Sequence, residues 1–313
     1  MKQSITEHLH TLEVAPPREA GNLQIFGLHW ANPNGLPYAT LDEALAAGNL
    51  DITEVSEGGQ VPHLKVTNKA DTLVFLMSGE QLVGAKQNRI LNASIMVPAQ
   101  TELPIPVSCV EARRWQYRSP KFGSSGSSSH RRLRHLMAKQ VLHSYRQTGK
   151  PSSRQAEVWE EVDRKLKVMK SVSPTAALDQ AYEDHEKTLD EFLQKLQAPA
   201  TCHGVVFAIG GRIAGMDLFD KPATLVKLWP KLVRGYAIDA VEEVGKETVP
   251  VSLETVKQWL GLVDQAQTES FKSPGLGQDI RLEGKDLVGA SLVVEENPIH
   301  VELYPNEEDG AGK

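Results

Sequence analysis

Between residues 50 and 111, short runs rich in Val, Ile, Leu and Thr follow one another, each closed by turn-forming residues. This rhythm constrains the fold more than any other feature of the chain. Residues 51–55 and 63–67 alternate apolar with polar side chains. A strand turns successive side chains to opposite faces, so alternation predicts half-buried strands. Residues 72–77, 89–97 and 102–110 complete the set, with Glu57-Gly58-Gly59, residues 68–71 and Ser78-Gly79 as turns. Repeated short strands with turns between them predict an all-β sandwich or a barrel-like sheet. Pro98, Pro104 and Pro106 fall at or beside strand ends, where a missing amide donor is tolerated.

The flanking segments read differently. Residues 23–28 predict a strand, and Asn32-Pro33-Asn34-Gly35 a turn. Thr40 and Glu43 form a capping-box pattern that starts a short helix, closed by Gly48. Residues 112–154 hold eleven Arg and Lys and no Asp or Glu. Within them, residues 123–129 (GSSGSSS) read as a flexible low-complexity loop. Leu133, Leu136, Met137, Val141 and Tyr145 then give residues 130–147 the spacing of a basic amphipathic helix. A second helix, over residues 152–169, starts at a Ser152–Gln155 capping box; a third runs from Ser173-Pro174 to Pro199, and the two pair as a hairpin. Residues 204–219 predict a β-hairpin turning at Gly210-Gly211. Asp220 reads as the N-cap of a helix through Ala240 that Pro230 should kink or divide. A last helix begins at Ser252, and strands follow over 280–282, 287–295 and 299–303 before a polar tail, 307–313.

The order β, then α, then mixed predicts an α+β fold with an N-terminal β-rich, sandwich-like sheet. Three parts follow: 1–111, 112–154 and 155–313, with the last able to close on the first as one compact domain. Apolar residues make up 40% and charged residues 24%, a globular balance. A net charge of −6 gives no general pull on nucleic acid or anionic lipid. No apolar stretch approaches the ~20 residues of a membrane span, and residues 1–10 lack an apolar signal core. With only Cys109 and Cys202, neither a disulfide framework nor a Cys-rich metal site is expected. A soluble cytoplasmic protein is the expectation.

Candidate chemistry concentrates at residues 79–92. Glu80 precedes four consecutive long polar side chains, Lys86, Gln87, Asn88 and Arg89, and Asn92, Ser108, Cys109 and Glu111 follow. On a strand, Lys86 and Asn88 would share one face and Gln87 and Arg89 the other. Arg grips phosphate oxygens bidentately, and amides read hydroxyls or base edges. The bland alternative is a solvated turn. Cys109 is either a nucleophile activated by Arg113 and Arg114 or a small buried residue. Asp217 is either turn chemistry or, beside Glu80 and Glu111, a catalytic acid or Mg²⁺ ligand. Trp115 and Tyr117, interleaved with Arg113, Arg114, Arg118 and Lys121, would stack on bases if 113–154 bound nucleic acid. Pairing with the Glu-rich helix that follows ranks above that reading.

These segments also carry a family resemblance. Residues 40–48 (TLDEALAAG), 53–59 (TEVSEGG), 79–92 (GEQLVGAKQNRILN) and 105–111 (IPVSCVE), followed by Arg114-Trp115, resemble the ADP-ribosylglycohydrolase- and rhodanese-phosphatase-associated protein domain family. Residues 207–220 (FAIGGRIAGMDLFD) and 236–240 (YAIDA) resemble its second half. The resemblance implies a link to ADP-ribose or NAD-derived metabolism and to proteins that handle ADP-ribosylation, not a reaction.

The first expectation is an accessory or regulatory protein binding an ADP-ribose-type or other phosphorylated small molecule through Lys86, Gln87, Asn88, Arg89, Asn92 and Ser108. The second is a hydrolase or transferase on such a ligand, with Glu80, Glu111 or Asp217 as general base or Cys109 as nucleophile. A nucleic-acid or protein-interaction module at 113–154 stands third. No cofactor is evident; Mg²⁺ is the cation the carboxylates would take.

Overall fold

Every residue of the strand Gly204–Ile209 is buried, because apolar side chains cover it from both sides. Val205, Phe207 and Ile209 join a core shared with the helices, while Val206 and Ala208 join a second core on the opposite face. The period of two along a strand makes that division. The computed structural model describes residues 7–31, 35–56, 58–59, 62–245 and 249–306; the expected turn at residues 32–34, the turn residue Glu57 and the polar tail lie outside the described residues.

This strand belongs to a nine-stranded antiparallel sheet drawn from both ends of the described chain. Its members are β1 (Glu13–Val14), β2 (Arg18–Ala20), β3 (Leu23–His29), β13 (Gly204–Ile209), β14 (Arg212–Phe219), β15 (Gln267–Lys272), β16 (Gln278–Glu283), β17 (Leu287–Val294) and β18 (Asn297–Pro305). The order is β1-β3-β13-β14-β18-β17-β16-β15, with β2 also against β3. β3 lies beside β13, pairing Phe26 with Val206, and β14 beside β18, pairing Asp217 with Glu302. The β13–β14 turn has Gly210 at φ 56° and Gly211 at φ 74°, the left-handed pair a tight primed hairpin needs.

Residues 38–128 build the sandwich-like part. Six strands pair antiparallel in the order β12-β8-β9-β11-β6-β5: β5 (Leu50–Glu54), β6 (His63–Asn68), β8 (Glu80–Gly84), β9 (Arg89–Leu91), β11 (Thr101–Cys109) and β12 (Phe122–Ser128). Three more, β4 (Tyr38–Thr40), β7 (Leu73–Leu76) and β10 (Ile95–Val97), form a smaller sheet in which β4 runs parallel to β7. Leu64, Val66, Leu82 and Ile105 pack against Val74, Leu76, Ile95 and Val97 in one apolar cluster. The chain is therefore α+β, as its element order implies.

Helices α1 (Leu41–Ala46), α2 (Arg131–Thr148), α3 (Gln155–Val168), α4 (Asp179–Asp184), α5 (Glu186–Lys195), α6 (Pro222–Glu242) and α7 (Leu253–Gly261) complete the fold. Thr40 and Glu43 make the expected capping box at α1, and the Ser252 hydroxyl caps α7 by accepting from the Thr255 amide at 3.1 Å. Among the described residues no helix is long and apolar enough to cross a membrane.

Five expectations need correction. Residues 123–129 are not a loop: residues 122–128 form β12 against β8, and Ser127, Ser128 and Ser129 are buried. Small side chains are required there because α6 packs directly on this strand. A Cβ on Gly235 would fall 2.2 Å from the Ser128 hydroxyl oxygen. The helix expected over 173–199 is broken, since residues 175–178 turn back to bond the backbone of residues 110–113 and Ala176 adopts φ 52°. Asp220 is not the cap of α6; Lys221 takes that position and Pro222 the first turn. The Ser152–Gln155 box does not form, because Gln155 bonds both backbone groups of Cys109 instead. Pro230 does not divide α6. The carbonyl it leaves without a helical donor belongs to Val226, which is exposed, so water can take that bond.

Candidate functional site

The hairpin β8–β9 presents the polar run. Residues 85–88 are its turn rather than strand, so the expected alternation of faces does not hold. Asn88 organises the turn: its Oδ1 accepts from the Gly84 amide at 3.2 Å, and its amide donates to Glu111 Oε2 at 2.9 Å. Glu111 is also gripped by Arg114, Nε at 2.8 Å and Nη2 at 2.7 Å. Burial alone would raise the Glu111 carboxyl, but Arg114, the Thr175 hydroxyl and the Asn88 amide outweigh it and hold it below the ordinary value.

On the other side of this turn lie Glu54, Lys86, Gln87 and Arg89. Arg89 is fully buried. Its Nη1 donates to Gln87 Oε1 at 3.0 Å, and its Nη2 stands 3.7 Å from Glu54 Oε1, beyond hydrogen-bond range. Arg89 Nε and Nη2 and Glu54 Oε2 are buried without a hydrogen-bond partner. The Trp115 ring centre is 5.8 Å from the Arg89 guanidinium. Lys86 donates to the Gly58 carbonyl at 3.0 Å, with its ammonium 5.3 Å from the Trp115 ring centre and 5.1 Å from that of Tyr117. Trp115 and Tyr117 remain 44% and 53% exposed, in a stretch with no helix or strand. Gly59, at φ +72°, leaves the space between Trp115 and Glu54 open; a Cβ there would come within 3.2 Å of the indole. The result is an exposed aromatic pair around one cation, with a buried cation and carboxylate beneath it.

The ten residues singled out in the sequence do not form one group. Lys86, Gln87 and Arg89 gather beneath Trp115 and Tyr117, with Asn88, Cys109 and Glu111 adjoining. Cys109 is buried; burial pushes its thiol up to about 11, against the pull of Arg89, so it is protonated at neutral pH. Asn92 and Ser108 lie elsewhere, the Ser108 hydroxyl bonded to Asn92 Oδ1 at 2.7 Å and to Ser153. Glu80 is paired with Lys231 of α6 and accepts from the Met77 amide at 2.7 Å; burial raises its carboxyl despite Lys231. Asp217 is held by Arg134, by His300 at 3.1 Å and by the Tyr236 hydroxyl at 3.2 Å. Its burial would raise it, yet Arg134 and His300 hold it far below the usual carboxylate range. Glu80, Glu111 and Asp217 thus each face a different cation, and the alternative in which Asp217 joins the other two as a Mg²⁺ ligand does not match this placement. Among the described residues no three His, Cys, Asp or Glu side chains are grouped to hold a metal ion.

Sequence reasoning missed Glu54, whose alternating strand gave no sign of a functional role, and Arg134, Lys231 and Glu302, which stand among the apolar positions of their elements with no motif to single them out. It noted Trp115 and Tyr117, but for another ligand.

Residues 11–304 match the family described as ARG and Rhodanese-Phosphatase-superfamily-associated Protein domain. No curated protein and no solved structure matches the chain.

Proposed function

Since the chain belongs to the ARG and Rhodanese-Phosphatase-superfamily-associated Protein domain family, we propose that it acts beside such enzymes as an accessory protein binding a phosphorylated nucleotide of the ADP-ribose type. The observation that carries this reading is the set of unused buried groups below an exposed aromatic pair: Arg89 Nε and Nη2 as donors, Glu54 Oε2 as acceptor. Leaving a buried donor or acceptor unmade costs ~1–3 kcal/mol. A ligand that brings both a phosphate oxygen and a hydroxyl answers both needs. The Trp115 indole, carried on a stretch without helix or strand, turns aside to admit the ligand and then stacks on its base. Lys86 and Arg89 neutralise the phosphates, and Glu54 takes a ribose hydroxyl.

The test is calorimetric and fluorescence titration with ADP-ribose, NAD, AMP and ribose 5-phosphate, with the products analysed in parallel. Saturable binding with quenched tryptophan emission and no product is expected. Base stacking is worth ~1–3 kcal/mol per base, so Trp115→Ala should weaken ADP-ribose by roughly 5- to 150-fold and ribose 5-phosphate far less. Unchanged affinity in both Arg89→Gln and Trp115→Ala overturns the site. Product formed by the wild type and lost in Glu80→Gln makes the protein an enzyme instead.

A further inference from the structure

A cavity of about 380 Å³ lies away from all ten residues discussed above. Its walls are Pro37, Tyr38 and Ala39 at β4, Glu43, Ala44 and Ala47 at α1, Asn49, Ala70 and Thr72 in loops, Val74 on β7, and Lys221. Four alanines, a valine and a proline make most of this wall, and the short alanine side chains are what leave the volume. That volume falls in the ~300–1,000 Å³ range of small-molecule sites. Asn49 and Ala47 are exposed, so the space is reachable from water.

Its polar groups are unevenly arranged. Glu43 is used up: Oε1 pairs with Lys227 at 2.6 Å, and Oε2 accepts from the Thr40 amide and hydroxyl at 2.9 Å. Lys221 is not. Its ammonium donates to the Leu36 carbonyl at 2.5 Å and lies 3.7 Å from the Tyr38 ring centre, and its nearest carboxylate, Asp220, is 4.0 Å away. Asp220 Oδ1 takes the Tyr38 hydroxyl, while its Oδ2, buried without a hydrogen-bond partner, is the atom that faces the ammonium, too far away to accept from it. An ammonium has three donors, so one remains for the cavity. Lys221 is also the N-cap of the 21-residue helix α6, whose amide dipoles add positive potential at that end.

We propose that this cavity binds a short-chain monocarboxylic acid, its carboxylate on Lys221 and its alkyl body along Ala39, Ala44, Ala47 and Val74. The site is independent of the nucleotide reading. Neither depends on residues of the other.

The experiment is calorimetric titration of the full chain with straight-chain monocarboxylates of four to eight carbons, the matching alkyl phosphates and the matching alcohols. Each added methylene should tighten the carboxylates about fourfold, the equivalent of ~0.8 kcal/mol, until the cavity is filled. Lys221→Gln should weaken every carboxylate at least tenfold. Ala47→Phe, at an exposed position just past α1 that tolerates a ring, should abolish the dependence on length while the thermal midpoint stays put. Trp115→Ala should change none of these values. Absence of saturable binding, affinity independent of length, or equal affinity in Lys221→Gln each overturns the proposal. Tighter binding of the alkyl phosphates or the alcohols overturns the carboxylate assignment.

Discussion

At the residue scale, the chain places ionisable groups where water cannot reach and settles each one individually. Asp220 shows what that does to pH dependence. Burial pushes its carboxyl up to about 6, more than the Tyr38 hydrogen bond and Lys221 pull it down. Its folded-state pKa lies above its unfolded one. It therefore favours folding in full below pH ~4, and that contribution fades as pH rises through about 6. Asp220→Asn removes the titration. Relative to wild type, the variant should gain on the order of 2–3 kcal/mol between pH 4 and pH 7, at ~1.4 kcal/mol per pKa unit. Urea midpoints at four pH values measure it; a constant difference would show that the carboxyl is not desolvated. This residue also shows where a sequence stops being legible. An Asp before Lys-Pro and a helix reads as a cap on local grounds, and only the approach of Tyr38, 182 positions away, makes it a buried acceptor.

At the element scale, local signals were reliable wherever the chain's own neighbours decide the outcome. Thr40 with Glu43, Ser252 with Thr255, and Gly210-Gly211 all do what their spacing implies, because each device closes within a few residues. The failures came where a distant element recruits the backbone or needs space. The serine-rich strand β12 is the clearest case: nothing within GSSGSSS announces that a glycine more than a hundred residues later lets α6 lie against it. Gly235→Ala should therefore destabilise the protein by ~1–3 kcal/mol, the cost of overpacking a closed interface, although alanine is the better helix former. Ser128→Gly removes the nearest atom. The double variant should recover part of the loss, a coupling of at least 0.5 kcal/mol in a double-mutant cycle read by chemical denaturation. Strict additivity would mean the two elements do not press on each other. The candidate site was half legible for the same reason. Lys86, Gln87 and Arg89 stand together in the sequence, whereas Glu54 and Trp115 reach them from other elements.

At the scale of the whole molecule, much of the basic stretch 112–154 is matched within the chain. Lys121 pairs with Asp51, Arg132 with Glu161, and Arg146 with Glu269 and Glu283. The pair that matters most is buried. Arg134 of α2 holds Asp217 of β14 and Glu302 of β18 together, fastening the helix to the centre of the large sheet. Pairs whose cation is exposed, as in these, are worth ~0–1 kcal/mol each, and the buried Glu161 keeps His130 and Arg164 when Arg132 is removed. Removing one partner of a buried pair costs ~3–5 kcal/mol, because the other charge is stranded. Arg134→Met should accordingly lower stability by about that much, against less than ~1 kcal/mol for Arg132→Met. Differential scanning calorimetry of the two variants separates them, and equal losses would contradict the buried arrangement.

The large sheet carries a further consequence for how the chain reaches this state. β3 has both faces apolar, and its partner on one side, β13, begins 175 positions after its last residue. During synthesis that strand must therefore emerge and wait while the intervening segments are made. Pairing across such a separation is entropically slow and leaves an open apolar edge in the meantime. A growing chain of this kind has a long interval of vulnerability to association with its own kind, ended only when the second half arrives to cover the first.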